Sequence, residues 1–403
     1  MIRHGKLWWV VLPLGTTQTL AWASSYYLPA VLAGPLAADL GLPLTHVFGA
    51  FTLALLISAA VGPWAGRAID ERGGRAVLGV SNILFALGLA GLGLAQSEWQ
   101  VWAAWCVIGL AMGSGLYDTA FATIVRLYPA SARNAIIGVA LMAGFASTVG
   151  WPLTAWWIDA LGWRGACFVW AGLHLLLGLP LHRLLPKERA EIPPCAQPLT
   201  TSAAAVGSRA PARKRPAYRL RMAVVMATVF ALTWFISTAM AAHLPALLLA
   251  QGLDPATALG VAMLVGPAQV AGRLLEFGLL RHVHPLLSAR LAAAGHPLGA
   301  AALVLTGSAG PWLLVGLHGM GNGILTIAKG TLPLVVFGAA GYGERQGWLM
   351  APARVAQALA PLLFGLAFAH WGNGALWLTA ALGVLTLVLL QYLALCLDKQ
   401  SSI

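Results

Sequence analysis

The chain has 403 residues, of which 59% are apolar and only 9% are Asp, Glu, Lys or Arg, and its mean hydropathy is +0.80. A soluble domain carries about 25% charged residues, so this composition excludes a water-facing surface and, with it, disordered, collagen-like and disulfide-scaffold architectures. Twelve crossings of about 20 residues each would use about 240 positions and leave no room for a second soluble domain.

Apolar runs bounded by charge, Gly and Pro predict membrane-spanning helices over 7–34, 45–66, 76–96, 100–125, 135–158 and 165–184. After a polar stretch come 221–249, 256–279, 287–307, 311–336, 347–369 and 374–397. The first 25 residues imitate a signal peptide, with Arg3, Lys6 and Ala21-Trp22-Ala23. Removing them would leave an odd number of crossings, so the segment is kept as the first helix. The stretch 187–219, with Pro193, Pro194, Pro198 and Arg213-Lys214-Arg215, reads as a disordered linker. It divides the chain into six-helix bundles over 1–186 and 220–403.

The formal charge of +12 is distributed in alternate loops. Arg67, Arg72, Arg75, Arg126, Arg133 and the cluster from Arg183 to Arg221 fall on one side; Asp39, Glu98, Asp159 and Asp254 fall on the other. This asymmetry places both termini in the cytoplasm and makes the net charge an orientation signal rather than a nucleic-acid site. Trp99, Trp156, Trp157, Trp312 and Trp371 sit at the outer ends, as interfacial belts do. Cys106, Cys167, Cys195 and Cys396 lack metal-ligand spacing and read as reduced packing residues.

The halves repeat. Met112-Gly113-Ser114-Gly115 matches Met320-Gly321-Asn322-Gly323 at an offset of about 208, and Arg133 matches Arg345 at about 212. Gly41-Leu42 matches Gly252-Leu253 at about 211.

Between the second and third runs stands Gly66-Arg67-Ala68-Ile69-Asp70-Glu71-Arg72-Gly73-Gly74-Arg75. It resembles the signature of the major facilitator superfamily, G-x-x-x-D-x-x-G-x-R. Glycines permit the tight turn and Asp70 can cap a neighbouring helix. The resemblance implies an all-α fold of twelve helices in two parallel six-helix repeats. It also implies a latch made by Gly66, Asp70, Arg72, Gly73 and Arg75 that holds the halves in the outward-facing state. Gly162-Trp163-Arg164 is a further shared feature. Where many proton-driven members carry an arginine in helix 4, this chain has Trp105.

A charge at mid-helix costs about 2.5–3.5 kcal/mol on insertion scales, so each needs a reason. The candidates are Asp118, Arg273, Glu276, Lys329 and Arg354. Arg273 has two alignments: Gly272-Arg273-Leu274-Leu275-Glu276 copies Gly66-Arg67-Ala68-Ile69-Asp70, whereas the landmark offset matches Gly66 to Gly278 and leaves Arg273 more than a turn inside its helix. On the second, favoured alignment, Gln269-Val270-Ala271-Gly272-Arg273 remotely resembles helix 8 of the monocarboxylate and oxalate/formate carriers. That resemblance implies basic anion ligands at Arg273 and Arg354. An internal Arg273–Glu276 pair is the structural reading of the same residues.

Asp118 and Glu276 are the proton-coupling candidates, with a structural bond from Asp118 to hydroxyls or to Arg126 left open. Lys329, Gln18, Tyr26, Tyr27, His243 and Asn322 complete the expected substrate-binding set, with Trp234 and His318 beside them. The expectation is a proton-coupled or exchanging carrier of a small organic anion, monomeric, in a bacterial inner membrane, without cofactor, metal or nucleic acid. An efflux pump for amphipathic or cationic compounds is the alternative. An intramembrane enzyme lacks a paired-acid or His-x-x-x-His set in the sequence.

Overall fold

The computed structural model describes residues 7–186 and 216–401, and over these the chain is helical. Most of the proposed linker, with Cys195 and Arg213-Lys214-Arg215, lies outside the described residues, as do Arg3 and Lys6. The first half comprises α1 (Trp8–Ala23), α2 (Pro29–Leu40), α3 (Leu44–Arg72), α4 (Gly74–Gly93), α5 (Glu98–Gly115), α6 (Tyr117–Leu127), α7 (Ala132–Ala143), α8 (Ala146–Leu173) and α9 (Leu179–Arg183). The second comprises α10 (Pro216–Ala250), α11 (Pro255–Met263), α12 (Val265–Gly278), α13 (Pro285–Leu305), α14 (Gly310–Phe337), α15 (Tyr342–Trp371) and α16 (Ala375–Ser401).

Several runs expected as single helices are broken, each for a local reason. The run 7–34 divides after Ala23, where the Ser24 and Ser25 hydroxyls donate to the Leu20 and Ala21 carbonyls (2.8 and 2.5 Å), and it resumes at Pro29 to reach Leu40. The run 100–125 divides at Leu116, whose backbone is extended (φ −85°, ψ −169°). The run 256–279 divides at Leu264. Such breaks free backbone polar groups, which is tolerable in a membrane only where protein covers them.

Among the described residues, eight helical stretches are long and apolar enough to cross a bilayer. Two of them, Pro129–Arg183 with 55 residues and Tyr342–Leu397 with 56, are far too long for one crossing of a core about 30 Å thick. They fold back at Gly162 (φ 74°) and Gly372 (φ 55°), left-handed conformations that glycine adopts without penalty. The outer surface is apolar, with Trp9 78%, Leu176 82% and Leu305 80% exposed, while Ser, Thr, His and Gln side chains are buried. Among the latter, Ser24, His174, Asn82 and His182 form one hydrogen-bonded chain inside the first half. A water-soluble protein distributes these groups the other way round; this is a multi-pass membrane protein.

Glycine contacts set the register of the two halves. A Cβ on Gly109 would strike the Ala54 carbonyl, and one on Gly113 the Ser58 carbonyl, so α5 lies backbone-to-backbone on α3. In the second half Gly319 meets the Val265 carbonyl and Gly323 the Gln269 carbonyl, α14 lying on α12. The packing offset between halves is therefore about 210 residues. The Met-Gly-x-Gly match at about 208 pairs glycines with different neighbours, since Gly321 faces Ala292 of α13. On the packing register Arg273 stands opposite Gly62, about two turns deeper than Asp70.

Candidate functional site

Three layers of polar contacts join the two halves of the chain. The first is at the α3–α4 turn. Asp70, on the last turn of α3, accepts from the backbone N–H groups of Gly343 (2.9 Å) and Glu344 (2.8 Å) in the first turn of α15. Free N–H groups and the helix dipole both favour a carboxylate there. Arg67 pairs with Glu344. A Cβ on Gly66 would collide with the Gly343 carbonyl, so these helices touch through bare backbone. Gly73 turns the chain (φ 88°), Arg126 donates to the Asp70 carbonyl, and Arg75 donates to the Leu185 carbonyl (3.4 Å). Arg72 is exposed at the end of α3.

Beside this contact, Arg133 on α7 donates to the carbonyls of Val283 (2.9 Å) and Leu280 (3.1 Å) and pairs with Glu276 (3.4 Å). Glu276 also accepts from Ser288. Its partners are thus Arg133 and Ser288, and the Arg273–Glu276 pair that the sequence offered as the alternative to an anion ligand is not formed. Spacing along α12 made that pair attractive, but the α7 arginine reaches the carboxylate from the other half.

The second layer is fully buried. Arg354 on α15 donates to Asp118 at 2.6 Å, with side-chain exposures of 7% and 10%. Gln346 donates to the other Asp118 oxygen (3.2 Å) and to the Lys329 carbonyl (3.2 Å). Both carboxylate oxygens of Asp118 are therefore taken. Its ion-pair partner is Arg354, while Arg126 donates to the Asp70 carbonyl. The Lys329 ammonium lies 4.1 Å from the Trp234 ring centroid, a cation–π distance that offsets part of its burial cost.

The third layer is a cavity of about 90 Å³. Its walls come from both halves: Trp22 of α1, Tyr26 and Tyr27 at the α1–α2 break, Tyr117 of α6 and Ala143 of α7 face Trp234, Ser237, Met240 and Ala241 of α10, Val265, Gln269 and Arg273 of α12, and His318, Asn322 and Thr326 of α14. On α12 and α14 these residues recur every four positions, one stripe of each helix. Trp22 and Trp234 are parallel within 5°, with centroids 6.3 Å apart, and Trp22 lies 4.9 Å from Tyr117.

Arg273 is 4% exposed, and its guanidinium lies against Gly144 at the end of α7, where a Cβ would collide with it. It makes no ion pair among the described residues. Its Nε has no hydrogen-bond partner, nor do the indole nitrogens of Trp22 and Trp234. Unspent buried donors are costly to a folded protein and uncommon.

Of the residues singled out from sequence, Arg273, Tyr26, Tyr27 and Asn322 line the cavity. Arg354 and Lys329 lie in the charged layer beneath it. Gln18 is buried away from it and donates to the Gly115 carbonyl at the α5–α6 break (2.7 Å). His243 bonds the Pro361 carbonyl within the second half (2.8 Å). Gln346, Arg133 as the partner of Glu276 and His296 were missed; an ordinary Gln or His in an apolar run gives no signal above the many that merely join helices.

Among curated proteins, the chain is 32% identical over 139 residues to an uncharacterized 38 kDa protein in a 23S RNA operon of Thermoproteus tenax, covering 34% of this chain and 36% of that one. It is 31% identical over 149 residues to a cis,cis-muconate transport protein of Acinetobacter baylyi, covering 36% and 34%. It is 28% identical over 141 residues to the multidrug resistance protein MdtH of Proteus mirabilis, covering 35% of each. The chain thus spans about a third of the length of these relatives. Solved structures match the whole fold: the transporter FucP with TM-score 0.73, 13% identity and 95% and 98% of the two chains covered, and the human organic anion transporter MFSD10 with 0.66, 16%, 95% and 98%. A family model also matches residues 14–343. By that match the chain belongs to the Major Facilitator Superfamily.

Proposed function

We propose that the protein is a secondary active transporter that carries a small carboxylate by alternating access, with Arg273 as its anion ligand. The observation that carries this reading is the unpaired, buried Arg273 in the wall of a cavity between the halves. Its planar fork suits a carboxylate and stays charged when water is excluded. The Trp22 and Trp234 N–H groups add donors of the same sense. The cavity, of about 90 Å³, leaves room for a small ligand beside Arg273.

The eight apolar stretches, with the two long ones folded double and with α13 and the α1–α2 pair added, make twelve crossings. The basic loops support a reading with both termini on the cytoplasmic side of a bacterial inner membrane, bundles over 1–186 and 220–403 joined by 187–219, and a monomer as the working unit. Gly66, Asp70, Arg72, Gly73 and Arg75 serve as the latch region of the cytoplasmic end. With Asp70 bound to α15 that end is closed, so the cavity serves the outer face. Opening inward would break the Asp70, Arg67–Glu344, Arg133–Glu276 and Asp118–Arg354 contacts. A ligand can drive that change only by the difference in its affinity for the two states. Lys329 and Arg354 act beneath the ligand, and Tyr26, Tyr27 and Asn322 beside it; Gln18 and His243 support the cavity walls.

One observation favours a second reading. Five aromatic rings surround the cavity, as they do in sites for organic cations, and one relative is a multidrug resistance protein. The fixed charge of Arg273 opposes it. Thermal unfolding of the purified protein separates the two. Acetate, lactate and pyruvate should raise the apparent stability, by about 2.7 kcal/mol at a hundred times Kd, while tetramethylammonium should not. Stabilisation by the cation alone would overturn the anion reading.

A further inference from the structure

The cavity raises a question that its lining answers. A carrier driven by protons needs a group there that takes one up, yet no carboxylate lines the cavity among the described residues. His318 does, and its ring lies 4.9 Å from that of His296 on α13. Both are 5% exposed. A second, smaller cavity of about 20 Å³ touches His318, His296, Asn322, Thr233 and Thr386. That is enough space for one water among enough polar partners to hold it.

Hydrogen bonding fixes the state of His296. The Thr379 hydroxyl donates to the Leu376 carbonyl (2.8 Å), so its oxygen can only accept from His296 Nε2 (2.9 Å). Nε2 therefore carries the hydrogen and Nδ1 is a bare acceptor. Nδ1 is buried and has no partner. A lone pair left open next to a water-sized void and a second imidazole is a place for a proton.

We infer that His318 and His296 form the proton-binding site of the carrier, holding one proton between them. The inference rests on the carrier reading above and adds the coupling residues. A hydronium ion in the main cavity gives up an O–H proton to His318, which leaves water behind, and the proton passes through a water of the small cavity to His296 Nδ1; only O–H and N–H bonds form or break. Repulsion between adjacent imidazolium rings limits the pair to one proton.

The charged and titratable surroundings decide the sign of the coupling. On the cavity side the pair faces Arg273 from α12, Tyr26 and Tyr27 from the α1–α2 break and Tyr117 from α6. The polar side chains that α10 and α16 bring to the smaller cavity and to His296 are Thr233, Thr379 and Thr386. Lys329 stands behind Trp234, Arg354 and Asp118 neutralise each other, and His243 is bound to a carbonyl. Arg273 is thus the nearby charge that opposes the proton. A carboxylate bound to Arg273 removes that opposition, and by reciprocity the proton strengthens carboxylate binding. Anion and proton then travel together.

The test uses the full chain in nanodiscs, with ¹³C-labelled histidine followed by NMR between about pH 5 and 8, the range in which imidazoles switch charge. One titrating signal should vanish in His296→Gln, change in His318→Gln and shift to higher pH in Arg273→Gln, all without ligand. Acetate should shift the same wild-type signal to higher pH, and the rise of acetate affinity on acidification should flatten in His296→Gln. The inference is overturned if both rings stay neutral across the range, if Arg273→Gln leaves the titration where it was, or if Asp118→Asn abolishes the signal. Should acetate fail to bind while the ligand-free shifts are seen, the carboxylate reading falls and the proton site stands.

Discussion

Two arginines of the second half are equally buried and differently employed. Arg354 is 6% exposed and Arg273 4%. Arg354 spends its charge on Asp118, across the interface, in a pair that Gln346 completes. Arg273 meets a cavity, leaves Nε without a partner and pairs with no acid among the described residues. Burial and charge are the same in both; what differs is whether the protein supplies the counter-charge. A buried cation with its partner is a strut, and one without is a vacancy that a ligand can fill.

The largest effect follows from breaking the strut. Asp118→Asn leaves Arg354 buried and uncompensated, and should destabilise the protein by about 3–5 kcal/mol in thermal unfolding. Replacing both partners with apolar residues, Asp118→Leu with Arg354→Met, should recover most of that loss, because the pair's attraction roughly offsets its desolvation. A single substitution costing under about 1 kcal/mol would place the pair in solvent rather than in the core. Arg273→Gln should do the reverse. Stability should hold or rise, since an unpaired charge is removed, while acetate binding measured by calorimetry weakens about ten- to 150-fold, the worth of a charge-assisted hydrogen bond of about 1.5–3 kcal/mol.

How much of this contrast the sequence carried depends on distance along the chain. Both arginines stood out as charges in apolar runs, and the Gly66–Arg75 turn announced its family. The partners did not stand out. Asp118 and Arg354 are 236 residues apart, and their meeting is set by the packing of α6 against α15. The four-residue neighbourhood of Arg273 and Glu276 suggested a local pair, but Arg133 on α7 takes Glu276 instead. Register was legible only in part: matched glycine letters gave an offset two residues away from the packing one, because small residues are chosen by whichever backbone they touch. Helix breaks at Ser24 and Leu116 left weak traces, since a hydroxyl bonding its own turn looks like any serine in an apolar run.

Two aspartates extend the comparison to the helix ends. Asp70 accepts two N–H groups of α15 from another part of the chain, while Asp254 accepts two from its own helix, Ala256 and Thr257 of α11, at 3.1 Å each. The chemistry is shared, but only the first ties the halves together. Asp70→Asn removes the charge from those bonds and should shift the equilibrium toward opening of the α3–α15 contact by about 1.5–3 kcal/mol. Spin labels at exposed positions beside Arg72 and on the α14–α15 turn should then report a longer separation. An unchanged distance distribution would show that the Gly66–Gly343 backbone contact holds the end shut without the carboxylate.

The smallest effect is expected at Asp254, which lies outside the apolar stretches and fully in solvent. Bonds from Thr257 and Ala256 hold its carboxyl below the usual range. Because the folded value is the lower one, the cap's contribution is complete above the ordinary carboxylate value and is lost as pH falls through the lowered one. Hydrogen exchange at Ala256 and Thr257 should therefore quicken, beyond the intrinsic pH trend, only on strong acidification, and Asp254→Ala should abolish that dependence. In Asp70→Asn, protection in α15 at Gly343 and Glu344 should weaken together with the separation of the halves. If Asp70→Asn loosened the start of α15 without moving the halves apart, Asp70 would be a helix cap like Asp254, and the closing of that end would rest on glycine packing alone.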